Sequence, residues 1–239
     1  MIMRTLRGGT LREFLGKAGL IAVFGVFAAL KLIAVASSWT SWEPTADLGR
    51  HLDLAAQLAG FAFILLLLGT TLLRFRPSRT AEGWEPRISA LIGTFLALSL
   101  AVLPPAGLGP AWRIAAILLV LLGTLLSIYV LAWLGRSFSL VPQSRRLVTK
   151  GPYAIVRHPL YVCEEIAAIG IALMCISPLA VLILIVQWLF QLRRMTNEER
   201  VLRSSFPEYA AYATQTPRLI PVVFRRRRWS DRSRARQGL

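Results

Sequence analysis

The chain is organised by four long apolar runs, residues 18–36, 54–73, 88–103 and 112–134, separated by short segments that carry nearly all of the charge. The first three runs are 16 to 20 residues long. As helices rising ~1.5 Å per residue they cover roughly 24–30 Å, close to a bilayer hydrocarbon core, so the pattern predicts four transmembrane α-helices. A fifth apolar region, 160–192, is too long for one span. Ser177-Pro178 near its middle interrupts it, because proline lacks the N–H and clashes with the preceding turn of a helix. This region is predicted to be a hairpin of two short helices, with a complete crossing and an embedded hairpin both left open. The expected fold is all-α: a polytopic integral membrane protein with four spans, a C-terminal helical hairpin and a cytoplasmic C-terminal helix.

Composition supports a bilayer over a soluble basic domain. The 239 residues are 55% hydrophobic with mean hydropathy +0.57, and 28 Lys+Arg stand against 12 Asp+Glu, a formal charge of +16. Because the arginines gather in joints between uncharged runs, the charge reports topology, and no nucleic-acid partner is expected. Of the 28 Lys and Arg, 25 lie on one side of the predicted spans, and only Arg50 and Arg113 fall on the other, with Lys31 inside the first span. Positive residues stay cytoplasmic, which places both termini in the cytoplasm. The Ala34-Val35-Ala36 end of the first run resembles a signal-peptidase site, but the run is long for that purpose and contains Lys31, so it is read as an uncleaved span. Arginine outnumbers lysine 25 to 3, the bias of a GC-rich bacterium, so a bacterial inner membrane is the expected location.

The first half, to residue 135, offers little chemistry. His51 sits among Asp47, Arg50 and Asp53 in a joint and reads as solvated. Cys163 and Cys175 match no metal or redox spacing and read as packing residues; no metal site is expected. Polar residues become purposeful after residue 135. Gly151-Pro152-Tyr153 leads to Arg157-His158-Pro159-Leu160-Tyr161, and the hairpin is followed by Arg193-Arg194 and Glu198-Glu199, then by Phe206-Pro207-Glu208-Tyr209 and Thr216-Pro217-Arg218-Leu219-Ile220-Pro221. Pro159 suits the first turn of a helix, which puts Arg157 and His158 at its positive end, placed to meet an anion. Arg194 and Glu198 are four apart and share a helix face; a surface salt bridge worth ~0.3 kcal/mol explains them as readily as a site does. Glu164 and Glu165 near the start of an apolar helix are costly without partners or water, and Tyr161 and Glu165 share a face.

These motifs resemble the isoprenylcysteine carboxyl methyltransferase family and the related phospholipid methyltransferases. The resemblance runs over 145–221, and it rests on Arg-His-Pro-x-Tyr with a downstream Glu-Glu and the Phe-Pro-Glu-Tyr to Ile-Pro ending. It implies an S-adenosylmethionine site at the cytoplasmic membrane surface, formed by a core of 136–221 that follows an anchor of 1–135 and precedes a basic tail of 222–239. Carried over position by position, it makes Leu147, Val148, Tyr153, His158, Pro159, Tyr161 and Glu198 cofactor-binding, and Arg194 the residue that orients an anionic acceptor in catalysis. Glu165 is assigned to the acceptor pocket. Cys163 replaces the family's usual glycine, and Glu164-Glu165 replaces apolar residues, which alters the acceptor pocket more than the cofactor site.

The expected activity is methyl transfer from S-adenosylmethionine to the carboxylate of a lipid-linked or membrane-embedded acceptor. Such chemistry needs in-line placement and desolvation, with no metal. Three other readings are carried: a phospholipid N-methyltransferase, a sterol-reductase-like enzyme using NADPH, and a non-enzymatic membrane protein of the same fold. The tail run Arg225-Arg226-Arg227-Arg228-Trp229 is expected to lie on anionic lipids, or else to be a solvated topology signal.

Overall fold

The computed structural model describes residues 2–40, 43, 45–107 and 109–221, with side chains placed from residue 14 onward except at 101; the basic tail 222–239 lies outside the described residues. The chain is an all-α, multi-pass membrane protein. Its elements are α1 (Ile2–Thr40), α2 (Leu48–Leu73), β1 (Arg79–Thr80), α3 (Glu85–Phe95), a 3-10 segment (Leu96–Val102), α4 (Pro110–Leu134), β2 (Gln143–Ser144), α5 (Pro159–Met174), α6 (Pro178–Ser205) and α7 (Tyr209–Gln215). Four helical stretches are long and apolar enough to cross a membrane: Phe14–Thr40, Leu48–Leu73, Pro110–Ser137 and Pro178–Ser205.

Three of the four expected spans form as continuous helices. Asp47 caps α2, its carboxylate accepting from the Arg50 N–H at 2.9 Å, which adds a turn ahead of the apolar run. The third expected span, 88–103, is the exception, since its α-helix gives way to a 3-10 segment after Phe95. The cause is a side chain inserted into the backbone ladder. Gln187 Nε2 on α6 donates to the Gly93 carbonyl at 3.0 Å, where Ala97 N–H would otherwise close the next α-helical turn. Eleven residues at ~1.5 Å and seven at ~2.0 Å still cover roughly 30 Å.

The hairpin forms with its break at the expected place. Ser177 caps α6, accepting from Ala180 N–H at 3.2 Å, with Pro178 at the first helical position. The expectation of two short helices is corrected, because α6 runs for 28 residues through Arg193, Arg194 and Glu198 to Ser205. Met174 O accepts from Ala106 N–H at 2.9 Å, so the hairpin tip reaches the joint between the third and fourth spans. Leu100, Ala172, Cys175 and Ala180 close an apolar cluster around that tip.

The two sides of the bundle are held by different contacts. On the arginine-poor side Arg113 pairs with Asp53 at 2.5 Å, bringing the first and third joints together. His51 lies in the same region, its Nδ1 2.9 Å from the Asp47 carbonyl. On the arginine-rich side β1 pairs antiparallel with β2, and Arg136 Nε donates to Leu73 O at 2.6 Å. This short ribbon, absent from the sequence reading, fixes the 136–158 segment against the spans.

Packing of α4 on α5 depends on glycine. A Cβ on Gly123 would lie 2.4 Å from Ala167 N and 2.7 Å from Cys163 O, and one on Gly170 would lie 2.8 Å from Ala116 O. Small residues at such crossings let two backbones approach closely inside a bilayer. Gly123→Val is therefore expected to force the helices apart, costing ~1–3 kcal/mol or more. A lowered melting temperature of the detergent-solubilised variant would register this; a parent-like transition would show that the crossing is loose.

Candidate functional site

The 151–161 segment is shaped by local conformational demands. Gly151 adopts φ +62°, and a Cβ there would sit 2.6 Å from the Trp133 ring, so only glycine allows the turn to lie on α4. Pro152 and Tyr153 then bury themselves in a 3-10 turn. Tyr153 joins Val130, Leu131, Phe138, Leu160 and Cys163 in an apolar cluster, so Cys163 does act as a packing residue. Pro159 starts α5 with His158 as its cap residue.

Glu198 and Glu199, adjacent on α6, serve two different groups of partners. Residues one apart on a helix point about 100° from each other. Glu198 Oε1 accepts a short hydrogen bond from the Tyr161 hydroxyl and lies 3.4 Å from Arg194 Nε. Arg194 also donates to Thr94 Oγ1 at 2.8 Å and stacks its guanidinium over the Tyr161 ring at 4.8 Å. The sequence pair Arg194/Glu198 is thus a buried arrangement and no surface bridge, Arg194 being 3% exposed.

Glu199 is a hub. Its carboxylate lies 2.9 Å from Arg157 Nη1, 3.0 Å from His158 Nε2, 3.2 Å from Arg218 Nε and 3.5 Å from Arg203 Nη2. Arg157 and His158, placed at the start of α5 to meet an anion, meet the Glu199 carboxylate inside the protein. Backbone bonds from Arg157 N to Pro217 O (2.8 Å) and from His158 N to Arg218 O (3.2 Å) strap the C-terminal segment across the start of α5. Removing one member of a buried ionic group leaves the others uncompensated, at about 3–5 kcal/mol. Glu199→Ala should accordingly release the segment around residues 216–218, seen as faster limited proteolysis there. Unchanged protection would mean the strap is held by backbone alone.

Two spaces meet at Arg194. The first is a cleft of about 110 Å³ lined by Leu147, Val148, Tyr153, His158, Tyr161, Arg194 and Glu198, and also by Arg145, Arg146 and Tyr212. Of the residues singled out in the sequence as cofactor-binding, only Pro159 does not line it. Tyr212 donates to the Tyr153 carbonyl at 2.7 Å, closing one end. Burial, followed by the nearby Glu198 charge, pushes the Tyr153 phenol well above its usual range, and burial likewise raises that of Tyr212. Both stay neutral at working pH.

The second space, about 490 Å³, lies between the membrane helices and is walled by Phe24, Phe27, Phe63, Leu67, Phe95 and Leu98. Its polar residues are few: Lys31, Thr94, Glu164, Gln187, Gln191 and Arg194 stand out. Arg194 and Phe138 belong to the walls of both spaces. Glu165 lines neither space; it is buried, with Gln187 beside it. Glu164, held by Gln191 Nε2 at 3.3 Å, is the carboxylate on the cavity. Lys31 and Thr94 come from the half of the chain that offers little chemistry in sequence. Their only signal was polarity inside an apolar run.

Residues 115–204 match the model of the isoprenylcysteine carboxyl methyltransferase (ICMT) family. The matched stretch contains Tyr153, His158, Tyr161, Arg194 and Glu198, whereas Lys31 and Thr94 lie outside it. Among curated proteins, the chain is 33% identical over 126 residues to protein-S-isoprenylcysteine O-methyltransferase B of Arabidopsis thaliana, covering 49% of this chain and 64% of the relative. It is 38% identical over 96 residues to protein-S-isoprenylcysteine O-methyltransferase of Schizosaccharomyces pombe, covering 37% and 41%. It is also 39% identical over 80 residues to cobalt-zinc-cadmium resistance protein CzcN of Cupriavidus metallidurans, covering 33% and 37%. The chain thus spans between about a third and two thirds of the length of these relatives.

Proposed function

We propose that the protein is a membrane methyltransferase that moves a methyl group from S-adenosylmethionine in the polar cleft to the carboxylate of a lipid-linked acceptor in the apolar cavity. The observation that carries this reading is the position of Arg194 in the walls of both spaces. A transfer between a polar and an apolar reactant needs such a boundary.

The donor set of the cleft fits the cofactor. Glu198 offers a carboxylate to amino or hydroxyl groups, Arg145 and Arg146 offer cations to a carboxylate, and Leu147, Val148 and Tyr153 offer an apolar seat. When bound, the cofactor supplies a methyl group already activated on a sulfonium. The chain's own residues then have three tasks. Tyr161 and Arg194 fix Glu198 in one orientation, Arg194 orients an anionic acceptor at the boundary, and Phe138 with the surrounding apolar wall excludes water. No proton has to be removed from an ionised carboxylate, so the transfer needs no general base.

Glu164 favours a second reading. A carboxylate on the acceptor cavity suits an amine acceptor, as in phospholipid N-methylation. The relatives' names favour the carboxyl reading for those proteins. The cytoplasmic placement of both termini, in a bacterial inner membrane, and the seating of the 225–229 run on anionic lipids complete the proposal.

Titration of the purified protein with S-adenosylmethionine and with NADPH tests the reading. Saturable binding of S-adenosylmethionine alone is expected. Binding of NADPH alone would favour the reductase alternative, and binding of neither would favour a protein without this chemistry.

A further inference from the structure

Lys31 occupies an unusual position. It lies within the span Phe14–Thr40, nine residues from its far end, which is ~13 Å along the helix. Because Cα–Cβ bonds tilt toward the helix N-terminus, its stem points toward the middle of the span and away from that end. Snorkelling to the nearer surface is therefore a poor explanation. An intramembrane cation is costly, and such residues face cavities or partners.

The surroundings make room for Lys31 without satisfying it. A Cβ on Gly60 of α2 would lie 3.1 Å from Lys31 Cε and 3.7 Å from Nζ, so the missing side chain forms a notch for the stem. The ammonium makes no hydrogen bond or ion pair among the described residues. The other charged groups on the cavity are engaged: Arg194 by Glu198 and Thr94, and Glu164 by Gln191. Among the described residues one unmatched cation thus remains in this space, which is otherwise walled by Phe24, Phe27, Phe63 and Leu67.

We propose that Lys31 is a specificity-determining residue that holds the carboxylate of an amphiphilic ligand inside the apolar cavity. An apolar chain fills the aromatic and aliphatic walls, and the ligand's anion matches the free ammonium. Binding of such a ligand at Lys31 stands apart from the function proposed above, in which Arg194 meets the reacting carboxylate.

The test uses the full chain in phosphatidylcholine nanodiscs at pH 8, titrated by fluorescence with cis-parinaric acid and with its methyl ester. The parent is expected to bind the acid at least ~10-fold more tightly than the ester, the range of a charge-assisted contact. Lys31→Met should bring acid affinity down to that of the ester and leave ester affinity unchanged, which also shows an intact cavity. An S-farnesylated cysteine should displace the acid from the parent. Equal affinity of the parent for acid and ester, or an undiminished preference in Lys31→Met, would overturn the assignment. So would displacement by a lysophosphatidic acid but by no carboxylate. S-adenosylmethionine affinity measured on the same preparations keeps the two proposals apart. Lost acid preference with intact cofactor binding removes only the role of Lys31, whereas a Lys31-dependent preference without cofactor binding removes only the methyltransferase reading.

Discussion

Arg194→Ala should bind S-adenosylmethionine within a few-fold of the parent yet lose at least ~100-fold in kcat/KM for methyl transfer, the scale expected when a reactant is misplaced by an ångström. Cofactor binding survives because Glu198 keeps its hydrogen bond from Tyr161, while its contact with Arg194 is long, at 3.4 Å. Transfer fails because the boundary between cleft and cavity has lost its cation. Stability must be checked first, since removing Arg194 leaves Glu198 and Glu164 without their nearest positive charge. A variant of parent-like melting behaviour that still turns over normally would reduce Arg194 to a structural residue.

Glu198→Ala should do the opposite. Hydrogen bonds to a charged group are worth about 1.5–3 kcal/mol, so loss of the carboxylate facing the cleft should weaken cofactor binding by roughly 10- to 150-fold. Calorimetry with cofactor alone, in detergent, measures this without any acceptor. If the pair were only a salt bridge, both alanine variants would be mildly destabilised and bind cofactor alike. The contrast between them is therefore more informative than either value.

The parts of the molecule that could be read from sequence are those governed by local rules. The runs 18–36, 54–73 and 112–134 are uninterrupted or nearly so, and each becomes a continuous helix. The 88–103 run has a similar pattern but breaks after Phe95, because Gln187, nearly a hundred positions away, takes the Gly93 carbonyl. No window-based pattern contains that contact. The same applies to α6, whose polar second half looked like a segment beyond the hairpin. It remains helical because α3 supplies partners: Asn197 donates to Glu85 at 3.0 Å and to Ser89 at 3.2 Å.

The candidate site divides in the same way. His158, Tyr161, Arg194 and Glu198 were visible as a spaced motif, and the fold gathers them on one cleft. Glu199 was visible only as a neighbour of Glu198. Its role as the hub for Arg157, His158 and Arg218 follows from a one-residue rotation around α6 and from the return of the chain near Pro217. By helical spacing Glu165, and not Glu164, shares a face with Tyr161. Packing of α4 against α5 at Gly123 and Gly170 instead accompanies a hairpin orientation in which Glu164 meets the cavity.

The most direct test of the account supplies reconstituted protein with S-adenosylmethionine carrying a radiolabelled methyl group, together with an S-farnesylated cysteine bearing a free carboxylate. The account predicts label in the farnesylated product that mild base releases as volatile methanol, the behaviour of a methyl ester. Label that stays with bilayer phospholipid and resists base would contradict it in favour of amine methylation, and a protein that binds the cofactor but labels neither would contradict it outright.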